Sequence, residues 1–103
     1  MRYLILAATV LLTASPALAA SNEAWAQLRQ QAERSCIEAS DFRQPRVSNP
    51  IIFDDTVGMV ALLVTGKFKP AHMKGASGTN LCLYDRRTQR AVVEEAKGWR
   101  ERP

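Results

Sequence analysis

A chain of 103 residues has room for one small domain and not for two sizeable cores. With 47% hydrophobic residues, 23% charged residues and a formal net charge of only +4, it lacks the strongly basic balance of a nucleic-acid binder, and no nucleic-acid partner is expected. One histidine and two cysteines leave little from which to build a catalytic or metal centre, so no cofactor or bound metal is expected and an enzyme is not the first reading.

The chain begins MRYLILAATVLLTASPALAA, in which Arg2 supplies a positive start, Tyr3 to Thr13 an apolar run and Ala17-Leu18-Ala19 a small-x-small cleavage site after Pro16. This is the pattern of a Sec-type signal peptide over residues 1–19, and it predicts a periplasmic or secreted protein whose single α+β domain covers 20–103. The apolar run is short for a membrane span, and no other segment approaches the roughly 20 apolar residues a membrane helix needs. Loss of Arg2 with the leader lowers the formal charge by one.

The next stretch, SNEAWAQLRQQAERSCIEASDF, repeats Trp25, Leu28, Ala32, Cys36 and Ala39 at helical spacing, with Glu23, Gln27, Arg29, Gln30, Glu33, Arg34 and Glu38 on other faces. An amphipathic helix of four to five turns is expected, capped by Ser21 or Asn22, with Cys36 on the apolar stripe and Glu23 where the helix dipole favours an anion. The stripe reads as a packing face rather than a membrane-surface face, because it is rich in alanine and the polar side is of mixed sign.

Four strand signals follow. RVSNPIIFDD offers a short strand at Ile51 to Phe53, whose Pro50 suits an edge or a strand start. VGMVALLVTGKF, residues 57–68, is the central strand, with Val60, Leu62, Val64 and Phe68 on one face and Met59, Ala61 and Leu63 on the other. NLCLYD and RAVVEEA flank RRTQ and read as a hairpin, in which Cys82 and Tyr84 share one face and Leu81 and Leu83 the other. The expected fold is an N-terminal amphipathic helix on a three- to four-stranded antiparallel sheet. The tail KGWRERP is expected to fray, unless Trp99 anchors it back on the domain.

Cys36 and Cys82 form an isolated even pair without Cys-x-x-Cys spacing, and in an exported chain such a pair reads as a disulfide joining helix to strand. The chain-entropy model gives such a loop about 4 kcal/mol of stabilisation through the unfolded state. The face carrying Met59, Leu63, Leu81 and Leu83 is apolar, yet one helix can cover only one side of a sheet, which marks it as an interface for a protein partner or a second copy unless the Trp99 tail covers it.

The basic residues Lys67, Lys69, Lys74, Arg86, Arg87 and Arg90 face Asp85 as the sole acid between Lys67 and Arg90. They form a candidate basic surface for weak contact with an anionic partner of the cell envelope, divided between two rims by the expected strand pairing, or else a merely solubilising surface. His72 in KPAHMKGASGTN lacks an identifiable nucleophile, and with Met73 makes no more than an incomplete copper set; Asp54-Asp55 is short of a calcium loop. A small hydrolase or metal-handling protein using the His72 loop is the alternative to a binding or structural module.

In this order, a helix bearing RSCIEA, a strand ending LLVTG and the apolar-flanked cysteine of LCLYD resemble the layout of small exported Gram-negative bacterial proteins of unknown function. The helix-then-sheet order is also similar to that of cystatins, whose inhibitory hairpin carries Gln-x-Val-x-Gly. Leu62 stands where that glutamine would be and no Pro-Trp second hairpin follows, so protease inhibition is not carried over.

Overall fold

The computed structural model describes residues 21–100; the expected signal peptide, 1–19, lies outside the described residues. The first element, α1, is a helix over Asn22–Ser40. Ser21 caps it, its side-chain oxygen accepting from the Ala24 N–H at 3.0 Å, and the left-handed Asp41 ends it with its own N–H on the Ile37 carbonyl. Ala32 and Cys36 are fully buried, as the apolar stripe requires, whereas Ala39 at the same spacing is exposed.

Five strands follow, β1 (Arg43–Val47), β2 (Ile51–Ile52), β3 (Met59–Lys67), β4 (Ser77–Asp85) and β5 (Arg90–Glu95), all antiparallel in the order β1-β3-β4-β5 with β2 also on β3. The sheet therefore has one strand more than the longest count expected from sequence. The additional strand is β1, whose Arg-Gln-Pro-Arg-Val lacks an apolar alternation and contains a bulge between Arg43 and Arg46, with Gln44 at φ 51°. Beyond β1 the edge breaks at Ser48-Asn49-Pro50, and pairing with β3 resumes one residue out of step at Ile51↔Ala61. Ser48 bridges the break: its N–H donates to the Leu63 carbonyl at 3.0 Å, and its hydroxyl oxygen accepts from the Leu63 N–H at 2.9 Å.

β4 starts earlier than its sequence suggests, because Ser77-Gly78-Thr79-Asn80 pairs in register with Val64 to Lys67 instead of remaining a loop. Gly66 and Gly78 face each other across the two strands. A methyl group on Gly66 would overlap the Phe42 ring and one on Gly78 the Phe68 ring; the two rings meet edge to face at 5.4 Å and fill the space over the glycine pair.

The core lies between α1 and one face of the sheet. Val60, Val64 and Cys82 are fully buried there, with Leu62, Tyr84 and Phe42 nearly so. Cys36 and Cys82 are joined in a disulfide with Cα atoms 5.8 Å apart, tying the C-terminal half of α1 to β4. A covalent link of this kind fits an oxidising compartment. Among the described residues no helix is long and apolar enough to cross a membrane.

Candidate functional site

Period-two alternation puts every second residue of β3 and β4 on the face away from α1. The register aligns Leu63 with Leu81, Ala61 with Leu83 and Met59 with Asp85, so Met59, Leu63, Leu81 and Leu83 occupy one surface. None of these four is fully buried. Around them the apolar surface continues to the sheet's edges, where Ile51 is 63% and Val92 62% exposed.

A groove of about 320 Å³ runs over this face, lined by Ser48, Asn49, Ile51, Leu63, Leu81 and Trp99 among others. Its floor is the β3–β4 ladder, and one wall is the broken edge at Ser48 to Ile51. The other wall is Trp99. Ala96 is buried and donates its N–H to Thr79, and the Trp99 N–H donates to Ala96 across a turn with Gly98 at φ 85°, which brings the indole over the sheet while leaving it 58% exposed. The tail is thus ordered as far as Trp99 and forms a wall of the groove rather than a lid over the face. Residues 101–103 lie outside the described residues.

Next to the groove the same face turns cationic. Arg46 pairs in register with Thr65, one rung beyond Leu63, and Lys67 with Ser77, one rung further, at about 7 Å per rung. Both line a second depression of about 450 Å³ together with Gln44, Thr65, Gly66 and Ser77. Among the described residues neither takes part in an ion pair.

The other basic residues singled out in the sequence do not form one surface with these. Lys69 is bound to Asp41 at 2.6 Å, and Lys74 ends the short 3-10 turn Ala71–Met73. Arg86, Arg87 and Arg90 lie at or beside the β4–β5 turn, the full length of β4 away from Lys67, which itself faces Ser77. Arg86 is occupied there: its Nη1 is 3.1 Å from Asp55, its N–H donates to the Gly58 carbonyl, and its guanidinium lies 5.9 Å from the Trp25 ring centre. Arg87 is 4.0 Å from Asp85.

The two turns at that end are braced by carboxylates. Asp85 accepts from the Arg87 and Thr88 backbone N–H groups, and the Arg87 hydrogen bond holds its carboxyl below the usual range. Asp54 is lowered in the same way, first by the Thr56 hydroxyl and then by the Val57 N–H. His72 is exposed in the loop between β3 and β4, while Asp54 and Asp55 sit in the turn at the opposite end of β3. Among the described residues no three or more His, Cys, Asp or Glu side chains cluster as metal ligands would.

Arg46 and Ile51 were not legible as site residues, whereas the sequence did offer Trp99 as a side chain that folds back on this face. Arg46 belongs to a strand without a strand's pattern, and Ile51 and Trp99 reach the groove only through the edge break and the tail turn. The one signal in the sequence was that the apolar faces outnumber the helices available to cover them. What the fold and site define is a disulfide-stapled helix-on-sheet domain with an open, grooved apolar face that is cationic at one end. The chain matches no protein-family model, no curated protein and no solved structure.

Proposed function

We propose that the chain is an exported, periplasmic or secreted binding module whose open sheet face takes an anionic amphiphile, with its apolar chain in the groove and its acidic head at Arg46 and Lys67. The observation that carries this reading is the juxtaposition, on one face, of an almost purely apolar groove and two cations that have no ion-pair partner among the described residues. A volume of about 320 Å³ is at the lower end of small-ligand sites, large enough for an acyl chain and too small for a packed helix. Signal-peptide pattern and disulfide support export. A hydrolase or metal role for the His72 loop finds less support, since that loop is a strand's length from the Asp54-Asp55 turn.

The test is titration of the mature protein with dansyl-undecanoic acid, followed by the dansyl emission. Saturable one-to-one binding is expected, abolished by Leu63→Glu and weakened about tenfold by the Arg46→Gln, Lys67→Gln double variant and by high salt. The methyl ester of the same probe should bind like that double variant. Absence of saturable binding, or binding indifferent to Leu63→Glu, would overturn the proposal; capture of an acidic protein through the same residues would also replace it.

A further inference from the structure

The two lateral edges of the sheet are built very differently. On the β1–β2 side the edge carries Pro45, Pro50, a bulge with Gln44 at φ 51° and a one-residue slip, all features that prevent another strand from adding. β5 on the other side is six residues of regular strand, Arg90-Ala91-Val92-Val93-Glu94-Glu95, without proline or bulge, and among the described residues no strand pairs with its outer side.

The direction of its backbone groups follows from one hydrogen bond. Ala96 donates its N–H to the Thr79 carbonyl, so the even-numbered residues of β5 turn their polar groups toward β4. Ala91, Val93 and Glu95 therefore direct theirs outward. Antiparallel pairing of this edge with a second copy about a two-fold axis then has few registers. Centred on Val93, it sets Val92 against Glu94 and Ala91 against Glu95; centred on Ala91, it sets Arg90 against Val92. Centred on Val92, every pair is complementary: Val92 meets Val92, Ala91 meets Val93 with their N–H and C=O groups exchanged, and Arg90 of each copy meets Glu94 of the other.

Independent features of the structure favour this last register. Along one rung the open face reads Ile51, Ala61, Leu83, Val92, and this apolar row ends at the edge with Val92 62% exposed. Arg90 and Glu94, on the rungs to either side and on the same face, take part in no ion pair within their own chain among the described residues. Beside the edge, Ser35, Glu38 and Ala39 of the helix line an open cleft of about 370 Å³ with Gln89 and Ala91.

We propose that the protein is a two-fold dimer in which β5 pairs with β5 of a second copy in the Val92-to-Val92 register. Two five-stranded sheets become one of ten strands, the apolar rows of the two open faces join across the axis, and the proline-broken edges left outside stop further addition. The proposal does not depend on what the groove holds, because the pairing uses the edge and leaves Leu63, Leu81 and Trp99 free.

Sedimentation equilibrium of the mature chain tests it. A dimer is expected, with Arg90→Glu and Glu94→Arg each weakening self-association about tenfold or more, since each turns two attractive contacts into repulsive ones. The double variant Arg90→Glu, Glu94→Arg should restore association to within about threefold of the native chain, because both contacts return with their signs exchanged. Circular dichroism of each variant checks that the fold persists, and dansyl-undecanoate binding, lost in Leu63→Glu but kept in the charge variants, separates this proposal from the groove reading. A native chain that is monomeric at millimolar concentration overturns the proposal. So does a dimer that both single charge variants leave intact, or a folded double variant that fails to re-associate.

Discussion

The two faces of the sheet come from the same strands and nearly the same residue types, yet they end in opposite states. On the helix side Val60, Leu62, Val64, Cys82 and Tyr84 are between 0% and 3% exposed. One residue along the chain in each direction, Met59, Ala61, Leu63, Leu81 and Leu83 stop at partial burial, and the row they belong to ends in side chains more than half exposed at both edges. The difference lies in cover and not in composition. A helix of 19 residues is about 28 Å long, enough to lie across one face and no more, and the disulfide fixes which face that is. The apolar residues on the second face are surplus to the monomer's core, and such a surplus points to ligand or partner contact.

The sharpest break of this comparison is a pair of matched truncations at adjacent positions. Leu62→Ala should cost about 2–5 kcal/mol, since Leu62 is 3% exposed and the helix above it cannot collapse freely onto the vacancy. Leu63→Ala on the open face should cost less, about 1 kcal/mol, because Leu63 is only partly buried and no helix packs over it. Urea unfolding of both variants gives the two values. Equal losses would mean that the second face is as much a core as the first.

The disulfide comes next in size. Cys36→Ser or Cys82→Ser should lower stability by roughly 2–4 kcal/mol, mainly by releasing the unfolded chain, with the upper end near the value for a loop closed across 46 positions. Denaturant unfolding measures the loss, and thiol titration of the denatured, unreduced native protein should find almost no free thiol. Because the bridge holds α1 on its face, the variants should also expose the helix side to apolar dyes while leaving dansyl-undecanoate binding on the open face in place.

Much of this architecture is visible in the sequence because local and tertiary requirements agree over those stretches. The helix from Asn22, the alternation through Met59 to Val64 and the opposed faces of Leu81-Cys82-Leu83-Tyr84 follow from periodicity alone. Where the two requirements disagree, pattern fails. β1 is a strand because β3 offers it a ladder, although Pro45 and three polar or charged neighbours give it no propensity of its own. The first residues of β4 read as a loop until Phe42 and Phe68 are seen to cover the Gly66–Gly78 pair. The apolar floor of the site was readable for the same reason as the core, while its walls at Ile51 and Trp99 and its cation at Arg46 depend on how distant segments meet.

The smallest expected effect concerns neither face but the turns that close the sheet at one end, and it isolates what those turns contribute. Asp54 and Asp85 are exposed side chains whose carboxyls are held low by hydrogen bonds from Thr56 and Val57 and from Arg87 and Thr88. A carboxyl with a lower value in the folded chain than in the unfolded one stabilises the fold above the unfolded value, about 3.9, and loses that contribution as pH falls through its folded value. Between pH 5 and 8 these two groups should therefore leave stability flat. Below about pH 4 the Arg87 and Thr88 amide resonances should follow the Asp85 titration, with an inflection below the value of about 3.9 for a free aspartate. Asp85→Asn should remove that inflection while leaving Cys82 buried and the groove able to bind. If acid instead loosens the helix side first, the turns are not the pH-sensitive part, and protonation must be acting on the contacts that hold α1 to the sheet.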